Sequence, residues 1–229
     1  MSVQKEEIEE LTLPGYFKNT FLVGFNNFLD LIPFTFTYLL IVRTSNDLEI
    51  SSLTVTITCY LFFFGYLNGM QEAMNIRCSK FFGAKDKEGF SASMYRFIIV
   101  NTVLVSMSIL LVLCSKKLLL ACNITPVLAG NVSDLLYWTL AAKIIETYSN
   151  LMKSMLMSQK HFKPFFYLNL TTLFVFLAGD YIFIYLMRLR LLGFVYALTL
   201  KIVFEFLVLL YFILTKVDMS YLRRIDKSR

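Results

Sequence analysis

Asn68, Gln71, Glu72 and Asn75 interrupt a long apolar run at i, i+3, i+4 and i+7, a spacing that gathers them on one face of a helix. A carboxylate at the centre of a bilayer costs about 2.5–3.5 kcal/mol even on the lenient insertion scale, so Glu72 is expected to turn towards a bundle interior or a wet cavity. There it can take up and release a proton. The alternative is structural: the three amides hydrogen-bond neighbouring helices, each bond contributing about 0.6–2 kcal/mol.

Further polar groups stand in apolar surroundings. Lys143, Glu146, Asn150 and Lys153 recur at three- and four-residue steps and form a second inward stripe. Asp180 lies among apolar neighbours, and Lys201 and Glu205 are one helical turn apart. Asn26, Asn27 and Asp30 share one side of a helix that continues into Pro33, where a missing N–H kinks the chain beside a cavity or simply bends it. Two readings stay open for the carboxylates. Glu72, Glu146 and Asp180 exchange protons as a cavity opens to either side, or Lys143, Lys153 and Lys201 hold the acids ionised as structural pairs. Lys201 and Glu205 can also neutralise each other within one helix.

The elements that position these groups follow from composition. The chain is 57% hydrophobic, 16% aromatic and only 17% charged, against about 25% charged in ordinary soluble domains. It reads as an all-α polytopic membrane protein. One histidine, His161 at a loop edge, and four scattered cysteines offer no metal spacing, no disulfide framework and no nucleophile–base pairing, so neither an enzyme nor a cofactor is expected. The net charge of +6 sits on lysines and arginines at helix ends, where membrane orientation explains it, and no nucleic-acid partner is implied. The polar N-terminus, MSVQKEEIEE, has no signal-peptide apolar region.

Six spans are expected, at about 17–42, 52–76, 94–114, 131–158, 165–187 and 193–214, between an acidic tail, 1–16, and a basic tail, 215–229, suited to anionic headgroups. An even number of spans puts both tails on one side. The lysines and arginines of the tails, of 77–87 and of 160–163 outnumber those at 43, 116–117 and 188–190, which places both termini in the cytosol. The sequons at Asn123 and Asn131 then face the other side.

One stretch resembles a known family. Leu67 and Gly69, then Cys78, then Phe82-Gly83-Ala84 and a charged turn are similar to the second helix and following loop of multidrug and toxic compound extrusion (MATE) transporters. Asn75 stands where the family usually has an acid, and Lys80 where it has Gln. The turn MSQKHFKP before the fifth span and GFVYA at the start of the sixth extend the resemblance over most of 20–214.

The resemblance implies that this is one six-helix lobe of a two-lobed fold. A second copy or a separate chain would supply the other lobe, or the sequence is truncated. In prokaryotic members the first lobe binds a proton or Na+ at acids on helices one and five, assisted by an Asn one turn before the second acid. Asp180 matches the helix-five acid and Asp30, counted from Pro14, the helix-one acid, while Phe176 stands at the Asn position and Leu198 or Thr199 near a family threonine. In many eukaryotic members the coupling acids lie in the second lobe.

The expected function is thus a half-length antiporter exporting small organic, cationic solutes for protons, with Tyr60, Phe64, Tyr66, Tyr148 and Tyr181 as candidate cation–π groups. The alternatives are a non-transporting membrane subunit and a flippase of lipid-linked substrates.

Overall fold

Asn46 and Asp86 set the starts of two long helices. The Asn46 side chain accepts from the Glu49 N–H, and Asp86 accepts from the Gly89 N–H, so each satisfies a backbone donor that the first turn leaves open. In the computed structural model, which describes residue 25, 31–159 and 162–216, these helices are α2 (Asp47–Gly83) and α3 (Lys87–Leu113). Before them runs α1 (Leu31–Thr44), and after them α4 (Ser115–Ala121), α5 (Pro126–Ser158), α6 (Phe162–Asp180) and α7 (Arg190–Lys216). A π-helical segment, Tyr181–Leu186, continues α6 towards α7.

The architecture is all-α, as expected, with no strand among the described residues. Among the described residues there are seven α-helices, where six spans were expected. Ser115–Ala121, expected as loop, forms a separate short helix, and α5 begins at Pro126 rather than near 131, because proline suits the first helical position, where no N–H partner is needed. The capped ends of α2 and α3 likewise carry the helix beyond the apolar stretches from which the spans were read.

Helices α2 and α3, the stretch Pro164–Leu186, and Arg190–Thr215 are each long and apolar enough to cross a membrane. Helix α5 is longer than a span requires, but its polar stripe breaks the apolar run. Large apolar side chains such as Leu61, Phe62, Ile99, Leu110, Tyr211 and Leu214 are exposed around the outside, a surface suited to lipid. The chain is an integral membrane protein. The expected N-terminal tail, 217–229 of the C-terminal one, His161, Asn26, Asn27 and Asp30 lie outside the described residues, while α7 continues through 215–216.

Helix α5 is the centre of the bundle: α2 and α7 pack along it, α3 packs on α2, and α6 packs on α7. Three apolar clusters fill the contacts. Met74, Cys78, Phe90, Leu156 and Leu209 form one, Phe63, Leu67, Val112 and Leu136 another, and Ile41, Phe176, Ile184, Phe194 and Ile202 the third.

Close backbone approach joins the π segment to α7. A Cβ at Gly193 would lie 2.9 Å from Ile184 Cγ1, Ile184 N and Phe183 C, so only glycine admits this contact. One turn further along α7, Ala197 is the nearest neighbour of Gly179 on α6, at 3.3 Å from a Cβ built there. The GFVYA start of α7 is thereby explained as packing: small residues let α6 and α7 approach next to Asp180.

Candidate functional site

The candidate site is built around Asp180, where α6 meets α1. It ends the α-helical part of α6, just where the ladder widens into the π segment, and its side chain is 0% exposed. Helix α1 crosses it with Pro33 and Thr37, one turn apart and both buried. The Thr37 hydroxyl bonds Asp180 Oδ2 and also lies 2.9 Å from the Pro33 carbonyl oxygen. Asp180 Oδ1 has no hydrogen-bond partner among the described residues.

A hydroxyl has one proton and two lone pairs, so Thr37 cannot donate to both acceptors at once. With Asp180 ionised, Thr37 donates to the carboxylate and the Pro33 carbonyl loses its donor. With Asp180 protonated, the acid can donate to Thr37, which then donates to the Pro33 carbonyl. The arrangement ties one proton on α6 to the backbone of α1 next to its proline.

Below this pair lies a small polar cavity lined by Pro33, Lys153, Asn169, Thr172, Leu173, Lys201 and Glu205, with room for about one water. Lys153 of α5 reaches Glu205 of α7 at 2.6 Å, and Glu205 is 1% exposed. Lys143 pairs with Glu146 on its own helix at 2.6 Å and sits 5.0 Å above the centre of the Tyr60 ring. Lys201 and Lys153 also lie within electrostatic reach of Glu146.

The structure brings some of the sequence-predicted residues together and separates others. Lys153, Lys201 and Glu205 meet in the cavity between α1, α5, α6 and α7, Asp180 stands apart from its lining on Thr37 of α1, and Lys143, Glu146 and Asn150 continue the stripe along α5, each half-buried. Glu205 takes its lysine from α5, not from Lys201 one turn away, because the short interhelical approach of Lys153 neutralises both charges within the bundle.

Glu72 differs from expectation more sharply. Asn68 and Glu72 are exposed and Gln71 and Asn75 half-buried, so this stripe lies on the flank of the bundle and not inside it. The reason is geometric. Tyr60, Phe63, Leu67, Met74 and Cys78 turn the buried face of α2 towards α5 and α3, and the polar stripe is rotated from that face by about 90° at 100° per residue.

The aromatic groups form no cage. Tyr60 already carries Lys143 over its ring, Phe64 is packed in the core, Tyr66 donates to the Leu104 carbonyl at 3.0 Å, Tyr148 bonds Thr102 at 3.1 Å, and Tyr181 stacks on Tyr185.

Thr37, Asn169 and Thr172 were not singled out from sequence. Threonines in apolar helices ordinarily bond their own backbone, as Thr172 does to the Asn169 carbonyl at 3.0 Å, so residue type alone carries no signal. Thr37 had one: it follows Pro33 by one turn.

A sequence model of the MatE family matches residues 23–182. The chain belongs to the MatE family. This bears out the resemblance read from α2, and the fold agrees with it. A MATE protein crystallised in complex with MaD3S matches with a TM-score of 0.78 at 17% identity, over 91% of this chain and 47% of that one. The eukaryotic MATE transporter AtDTX14 matches at 0.76 and 15% identity, over 92% and 47%. A MOP superfamily transporter from Pyrococcus furiosus matches at 0.74 and 15%, over 84% and 43%. Identity this low carries the fold alone. The chain spans less than half the length of these MATE and MOP proteins, the size of one lobe. No curated protein sequence matches this MatE chain.

Proposed function

We propose that this MatE chain is one lobe of a secondary transporter that exports small organic solutes, cationic xenobiotics or metabolites among them, in exchange for protons. The observation that carries the reading is Asp180: a fully buried carboxylate with one oxygen on Thr37, beside Pro33, and the other without a partner among the described residues. An acid kept only for structure is normally paired or fully hydrogen-bonded. Proton uptake at Asp180 returns the Thr37 hydroxyl to the Pro33 carbonyl and so changes the proline turn of α1. Na+ would be an alternative coupling ion at the same carboxylate.

Solute is handled on the flank of α2. Asn68 and Glu72 are exposed on a helix that also exposes Leu61, Phe62 and Ile76, and lipid is a poor solvent for either polar group. A second six-helix lobe facing this stripe encloses an aqueous cavity with the Glu72 carboxylate in its wall, a group that suits an organic cation. Both termini are cytosolic in this reading.

The test is efflux of tetraphenylphosphonium from proteoliposomes containing the full chain under an imposed pH gradient. Gradient-driven efflux that Asp180→Asn abolishes is the expected result. Absence of efflux in the wild type, or full efflux in the variant, overturns the reading.

A second reading, a non-transporting membrane subunit, is favoured by Glu146 and Glu205, each held by a lysine at 2.6 Å, and by Phe176, which fills with core packing the position where prokaryotic relatives carry an Asn.

A further inference from the structure

One interior lysine stands apart from the ion pairs. Lys143 engages Glu146 and Lys153 engages Glu205, each at 2.6 Å. Lys201 has no carboxylate within 4.0 Å among the described residues, and Asp180 is bonded to Thr37. Yet Lys201 lines the small cavity together with Asn169 and Thr172, inside a membrane-embedded bundle where an unmatched ammonium is expensive.

We propose that this cavity is a site for one small monovalent anion, a halide or a single carboxylate group, held by Lys201. The wall chemistry fits such a ligand. Lys201 supplies an ammonium with three donors and Asn169 an amide that can donate. The Thr172 hydroxyl proton is spent on the Asn169 carbonyl at 3.0 Å, and the charge of Lys153 is already matched by Glu205. Pro33 and Leu173 add apolar surface to the wall, which strengthens a charge-assisted bond inside. A cation would meet two lysines against one neutralised carboxylate. Room for about one water limits the occupant to a chloride-sized ion or the head of one carboxylate. The site lies within the lobe, apart from the Glu72 flank, and its occupation does not require transport.

The experiment is thermal unfolding of the purified full chain in detergent at constant ionic strength, with sodium methanesulfonate, which carries no carboxylate, replaced stepwise by chloride or acetate. A ligand that binds the folded state alone raises Tm saturably, here by a few degrees at concentrations far above its Kd. The expected rise occurs with chloride, acetate or both, disappears in Lys201→Gln and persists in Lys201→Arg. Chloride alone would identify an inorganic ion, and acetate alone the carboxylate of an organic solute. No rise with either anion, or an equal rise in Lys201→Gln, overturns the proposal. Should Lys201→Gln fail to fold, equilibrium binding of radiolabelled chloride and of radiolabelled acetate to the wild type decides: saturable binding of either supports the site, and absence of both refutes it. Neither measurement depends on flux, so failure of the anion site and failure of the transporter reading are separately visible.

Discussion

The Thr37 hydroxyl touches two acceptors, the Pro33 carbonyl on its own helix and the Asp180 carboxylate 143 positions away, with a single proton to share between them. Asp180 is fully buried and Thr37 is its one hydrogen-bond partner among the described residues. The competition between these acceptors links the charge state of α6 to the backbone of α1.

Thr37→Val therefore removes the partner of a buried acid. The cost expected is about 1–3 kcal/mol of stability, and Thr37→Ser should restore most of it. Thermal melts of both variants check the size. The pH profile of tetraphenylphosphonium efflux should move in Thr37→Val and return in Thr37→Ser, which a purely structural threonine would not produce.

The pairing of Glu205 with Lys153 is testable by double-mutant cycles. Lys153→Met and Glu205→Leu, singly and together, should give a coupling of about 0.5–3 kcal/mol. The same cycle on Lys201 and Glu205 should give a smaller value. A larger coupling for Lys201 would restore the pairing within α7 that the sequence spacing suggests.

Gly193→Ala places a methyl 2.9 Å from the backbone of the π segment, so α7 must move away from Ile184. A loss of about 1–3 kcal/mol is expected, as for other overpacked sites. Gly65, whose Cβ would meet nothing within 4 Å, is the control: Gly65→Ala should stay within about 0.5 kcal/mol. Chemical denaturation of the two variants separates the effects.

Asn68 and Glu72 should matter for assembly and not for folding of the lobe. The double variant Asn68→Leu/Glu72→Leu is expected to keep the helical content of the wild type by circular dichroism, since both side chains are exposed on the lobe. Where a second copy supplies the facing lobe, light scattering corrected for detergent should give a two-copy particle for the wild type and one copy for the variant. A one-copy particle in both would direct attention to a separate partner chain.

Much of this site was legible because charge is conspicuous in an apolar sequence. Asp180, Glu146, Lys153 and Lys201 stand out by type alone, and the membrane-length runs around them fix the class of fold. Which way Glu72 points was not legible: the spacing of Asn68, Gln71, Glu72 and Asn75 defines a face, but only packing of Leu67 and Met74 against other helices decides that this face is a flank. The partner of Glu205 was hidden for a similar reason. Spacing reveals neighbours on one helix, and Lys153 comes from another. The π segment left no mark that residue type could carry, except the glycine at 193 that it requires.

Infrared difference spectroscopy of the reconstituted chain between acidic and alkaline pH reads the proton on Asp180. A protonated-carboxyl band at low pH that is missing in Asp180→Asn is expected, accompanied by an amide change that Thr37→Val weakens. Identical difference spectra for the wild type and Asp180→Asn would contradict that expectation, because Asp180 would then exchange no proton.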